Sequence, residues 1–134
     1  MAERSLMSES EKITINLGAV DLGRIDLLVK EGLYSNRTDF IRAAIRSQSE
    51  KHGVEVQQSV ARHSFVIGIL HYTRKLLERQ QAKGDRIDIN VIGSCTIASD
   101  VSAELAAEVI ERVRVRGVFS ASDAVKAALA DRMM

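Results

Sequence analysis

The chain has 134 residues, 46% hydrophobic and 28% charged, enough for one domain or two small ones. Its single cysteine, Cys95, rules out an internal disulfide framework, fits a reducing cytoplasm and reads as a small buried hydrophobe. A formal net charge of +1 gives no global sign of a polyanionic partner. No apolar run is long enough to cross a bilayer, and the start "MAERSLMSESEK" is too polar for a secretion signal.

In chain order, residues 1–11 are polar and unpatterned, as expected of a disordered arm. "KITINL", residues 12–17, alternates as a strand does, with Ile13, Ile15 and Leu17 on one face and Lys12, Thr14 and Asn16 on the other. "GAVDLGRIDLLVKEG" then places Val20, Ile25, Leu28 and Val29 at helical spacing, with Gly32 where a left-handed residue ends a helix. "LYSNRTDFIRAAIRSQ" restarts a helix. Asn36 or Ser35 can cap it, Asp39 stands three residues after Asn36, and Phe40, Ile41, Ala44 and Ile45 form its apolar stripe. His52-Gly53 weakens or ends that helix, and "VEVQQSVARH" can carry a further one.

From Ser64 onward the pattern changes to β-rich runs, "FVIGIL", "RIDINVIGSCTIA" and "RVRGVFSA", each followed by a helical pattern. "INVIGSCTIASDVSAELA" aligns without a gap on "VRVRGVFSASDAVKAALA", 24 residues later, pairing Val91 with Val115, Gly93 with Gly117, Val101 with Val125 and Leu105 with Leu129. The "VIG" of residues 66–68 hints at an earlier unit. Such repetition predicts stacked strand-plus-helix units around one core, in a small parallel or mixed sheet. A rival alignment of "GVFSASDAVKAAL" on "GLYSNRTDFIRAAI" needs a gap and points Asp100 outward with Thr96 and Ala98, so the gapless repeat is preferred.

A strand and two helices cannot bury enough apolar surface alone, and the backbone groups of residues 12–17 need a partner. A second copy of the chain is the economical one: two strands pair antiparallel about a two-fold axis. Ile13, Ile15, Leu17, Ile25, Leu28, Phe40, Ile41, Ala44 and Ile45 then form the dimer core. The polar residues Lys12, Thr14 and Asn16 are left on a ribbon that B-DNA's major groove admits.

"KITINL…LGRIDLLVKEGLYSNRTDFIRAAIR" resembles the ribbon-helix-helix transcriptional regulators, in particular their CopG-like branch, over about residues 12–48. That resemblance implies a homodimeric DNA-binding protein, mostly a repressor, that reads an operator in double-stranded DNA with Lys12, Thr14 and Asn16. It further implies phosphate contacts from the second helix start, Ser35, Asn36, Arg37 and Thr38. Arg42, one turn on, is a candidate for phosphate or for an ion pair with Asp39. The expected fold is α+β: a ribbon-helix-helix segment over residues 12–53, joined by an intermolecular antiparallel ribbon, then a β/α oligomerisation or regulatory domain over residues 54–134.

The later segment also loosely resembles that of the nickel-responsive regulators, yet Asp88 and Asn90 stand where a His-x-His pair belongs, and His52, His63 and His71 share no metal spacing. No metal, cofactor or enzymatic activity is therefore expected, since no nucleophile–base set or phosphate loop is present either. Two other functions compete with the repressor: an antitoxin whose C-terminal half binds a toxin protein while the ribbon represses their operon, and a self-assembly module. The Val/Ile/Ala-rich C-terminal half argues for autonomous folding, against the short charged tails that fold on binding.

Overall fold

The computed structural model describes residues 10–134; of the expected arm, residues 1–9 lie outside the described residues, and Ser10 and Glu11 have no regular secondary structure. The class is α+β, with six helices and three strands among the described residues. Residues 12–59 form one compact unit and residues 60–134 another.

In the first unit, helix α1 (Ala19–Lys30) ends where the chain turns left-handed at Gly32, φ 83°. The Gly32 N–H donates to the Val29 carbonyl at 3.1 Å and the Leu33 N–H to the Leu28 carbonyl at 3.0 Å, so two orphan carbonyls of the last turn are satisfied. Helix α2 (Arg37–Lys51) begins at Asn36, whose side chain accepts the Asp39 N–H at 2.8 Å. The Asp39 carboxylate in turn accepts the Ser35 N–H at 3.0 Å, a reciprocal cap that fixes the turn between the helices. His52 closes α2, and α3 (Gly53–His63) follows at once. Residues 12–17, expected as a strand, have no regular secondary structure and pair with no strand among the described residues, since an isolated segment has no ladder to hold it extended. Ile25 is the one buried residue of this unit among those described.

The second unit runs β1 (Val66–Tyr72), α4 (Arg74–Lys83), β2 (Ile87–Ile97), α5 (Ala103–Val109), β3 (Ile110–Ser120), α6 (Asp123–Leu129) and a 3-10 turn (Ala130–Arg132). The three strands are parallel in sequential order. Val91, Cys95, Ile97 and Val113 are buried with Leu105, Val109, Val125 and Leu129 of the helices, which makes one core on one face of the sheet. Burial pushes the Cys95 thiol up to about 12, which keeps it un-ionised and inert. Arg132 stitches the C-terminal turn to this core by donating to the Ala107 and Ile110 carbonyls at the end of α5.

The repeat is visible in the strand register: Val66, Val91 and Val115 lie side by side, as do Gly68, Gly93 and Gly117. It does not extend into the helices. Ser102 caps α5 and Ser122 caps α6, each accepting a backbone N–H three residues on, so equivalent helix positions are 122 − 102 = 20 residues apart, whereas strand positions are 117 − 93 = 24 apart. Four extra residues after β2 absorb the difference. The pairing of Val101 with Val125 and Leu105 with Leu129 is thus corrected: Leu105 corresponds to Val125, and Val109 to Leu129. Val, Ala and Leu recur in both helices, which is why a gapless match found identities there.

Candidate nucleic-acid interface

Lys12, Thr14 and Asn16 are all exposed, and so are the residues that alternate with them: Ile13 is 76% and Ile15 63% accessible. Exposure of both sets means that the segment's apolar side has no cover among the described residues. Beside it lies an open groove of about 420 Å³ whose apolar walls are Ile15, Leu17, Ile25, Phe40, Ile41, Ala44 and Ile45. Seven of the nine expected dimer-core residues therefore meet along one surface. Ile13 projects beyond it and Leu28 is half-buried elsewhere on α1. Tyr34 packs its ring edge-on against Phe40 of the groove wall, centroids 5.0 Å apart.

At the start of α2, Ser35, Asn36, Thr38, Asp39 and Arg42 line a shallow depression of about 300 Å³. The backbone N–H groups of Arg37 and Thr38 have no acceptor among the described residues, and the helix dipole adds positive potential there. The Ser35 N–H, by contrast, is already spent on Asp39. Arg42 is exposed and has no ion pair among the described residues. The alternative of an Asp39–Arg42 pair does not form, because Asp39 turns its carboxylate to the Ser35 N–H.

Arg37 is differently placed. Its Nε and Nη2 donate to the two carboxylate oxygens of Asp26 at 2.8 and 2.9 Å, a bidentate fork that joins the start of α2 to the middle of α1. The hydrogen bonds hold the Asp26 carboxyl below its usual range and raise the Arg37 guanidinium. Both Nη1 hydrogens and the second Nη2 hydrogen remain for another anion. No sequence period points to Asp26, because a pair eleven residues apart across a turn follows neither helical nor strand spacing.

A model of the ribbon-helix-helix transcriptional regulator family matches residues 8–126, and the chain belongs to that family. The match takes in most of the β/α unit as well as residues 12–48. As a class these are DNA-binding transcriptional regulators, generally without enzymatic activity. No curated protein and no solved structure matches the chain. Among the described residues no group of three His, Cys, Asp or Glu side chains is placed to hold a metal, and no helix is long and apolar enough to cross a membrane.

Proposed function

We propose that the chain is a cytoplasmic, sequence-specific repressor that binds operator DNA as a homodimer. Residues 12–17 of two subunits pair antiparallel into a ribbon, its apolar side closing the groove of both subunits and its polar side entering the major groove. The observation that carries this reading is an exposed amphipathic segment, unpaired among the described residues, beside an open apolar groove. A unit with one buried residue needs such a partner to be stable.

On this reading Lys12, Thr14 and Asn16 read bases. Lysine donates to guanine acceptors, while asparagine and threonine pair with base edges. The start of α2 positions the subunit on the backbone: the free N–H groups of Arg37 and Thr38 and the Arg42 side chain meet a phosphate, with the Ser35–Asn36 turn beneath and Arg37 Nη1 at its rim. The β/α unit adds higher assembly. Its β1 edge carries no charged residue and leaves Ile67 62% and Ile69 61% accessible, an unguarded edge suited to antiparallel pairing with a second copy. A C-terminal half with its own core offers no unfolded tail for a toxin, which weighs against the antitoxin function.

Replacing Thr14 and Asn16 together by Ala is expected to leave the assembly intact by sedimentation while abolishing preference for a selected operator over random duplex in competition gel shifts. Undiminished preference would remove the base-reading assignment.

A further inference from the structure

Arg112, Arg114 and Arg116 alternate along β3, so their side chains share one face of the strand. Val113, between the first two, is buried in the core, which places the arginines on the face away from it. β3 is an edge strand, and Arg112 and Arg116 are exposed while Arg114 is half-buried. Two other arginines of this unit are engaged within it: Arg74 by Glu78 and Asp100, Arg132 by two carbonyls. None of the three arginines of the β3 row pairs with an Asp or Glu side chain among the described residues. Arg116 Nη1 donates to the Met134 carbonyl at 3.0 Å and Arg114 Nη2 lies 3.6 Å from the Met134 sulfur. Asp88, opposite Arg112 in the register, and Glu111, at the irregularity beside it, form no ion pair with the row.

We infer that this row is a second DNA contact, a strip that meets the phosphodiester backbone without reading sequence. Three guanidinium groups held at strand spacing, about 6.6 Å between alternate residues, repel one another and together match the charge of successive phosphates. Their planar forks suit phosphate oxygens better than a diffuse acidic surface does. A chain of net charge +1 has little diffuse attraction for DNA, so backbone affinity has to come from local clusters such as this one. The inference rests on the proposed DNA-binding function and adds to it a contact in the β/α unit.

The test is fluorescence anisotropy with the full chain, on a selected operator and on a random duplex, across a series of salt concentrations. The variants are Arg112→Gln/Arg114→Gln/Arg116→Gln, the corresponding triple Lys variant, the single Arg112→Glu, and the Thr14→Ala/Asn16→Ala ribbon variant. The triple Gln variant is expected to lower the slope of log affinity against log salt by about 2 to 3 for each subunit whose strip meets DNA, about 5 for the dimer, since each neutralised phosphate contributes about 0.9. It weakens both duplexes by a similar factor and leaves their ratio unchanged, whereas the ribbon variant collapses the ratio and keeps the slope. The triple Lys variant retains most of the slope. Arg112→Glu, at an exposed position, gives the same direction should the triple Gln variant fail to fold. Unchanged slopes in a wild-type protein that binds DNA overturn the strip and leave the ribbon reading standing. Changed assembly size with unchanged slope assigns the row to guarding the sheet edge and likewise overturns it. A wild-type chain with no salt-dependent DNA affinity overturns both.

Discussion

A methyl group at position 93 would stand 2.1 Å from the Gly68 carbonyl oxygen, and one at position 117 would stand 2.0 Å from that of Gly93. Both residues also lie at positive φ, 139° and 131°, where a side chain is strained whatever the space. The neighbours in question are backbone and cannot rotate away. Gly93→Ala is therefore expected to cost about 3 kcal/mol or more, enough to register as a large drop in the urea midpoint. Gly23, inside α1, would carry a methyl group with nothing within 4 Å of it, on an ordinary helical backbone. Gly23→Ala is expected to stabilise by about 0.5 to 1 kcal/mol in the same assay. A small effect at position 93 would mean that the strands do not approach as described. Residue-level chemistry of this local kind was legible in advance where it depended on near neighbours: Gly32 ending α1, Asn36 capping α2 with Asp39 reciprocating, Cys95 buried. The bidentate Arg37–Asp26 pair was not, because it depends on how two helices lie across a turn.

Among elements, α1 and α2 are joined by the Asp26–Arg37 fork and the capped turn between them, and little of either is buried. The Asp26 carboxyl titrates below its ordinary value of 3.8 in the folded chain. Its contribution is therefore complete above that value and is lost as pH falls through the lowered one. Between pH 5 and 8 the pair is expected to be insensitive to pH, about 1 unit or more above the carboxylate range. In strongly acid solution wild type loses this contribution and Asp26→Asn has none to lose, so the two acid-unfolding profiles converge; parallel profiles down to the lowest pH would show that the pair is inert. In the β/α unit, the strand register was readable from the recurring glycine and valine positions. The helix offset was not, because periodic Val, Ala and Leu match at the wrong shift as well as the right one. The Arg112, Arg114 and Arg116 alternation was on view in "RVRVRG" and acquires meaning only once Val113 is known to face the core.

For the whole molecule, the two units differ in what sustains them. Residues 60–134 have a buried core in one chain, while residues 12–59 have Ile25 and an open groove. On the proposed dimer, subunit association is part of the stability of the first unit, and its melting temperature is expected to rise with protein concentration. Ile41→Glu, on the groove wall, is expected to abolish that concentration dependence and lower the molar mass in light scattering, while hydrogen exchange stays slow in β2 and β3. Ile69→Lys, at the β1 edge, is expected to reduce a larger assembly to a dimer and to leave operator preference intact. A concentration-independent melt in wild type would count against the ribbon as a joint between subunits.

The glycine column across Gly68, Gly93 and Gly117 bears on how such a chain can be rebuilt by duplication. Each rung presents the next strand with the same side-chain-free notch at the same height, so a tandem copy of residues 94–117 would set a fourth glycine level with Gly117. The connecting segment need not keep one length, since 93 − 68 = 25 residues separate the first two glycines and 117 − 93 = 24 the next two, provided that a glycine returns to the same rung. Lineages of this architecture should therefore lengthen their sheets in whole units, with the freedom to vary concentrated in the loops after each strand.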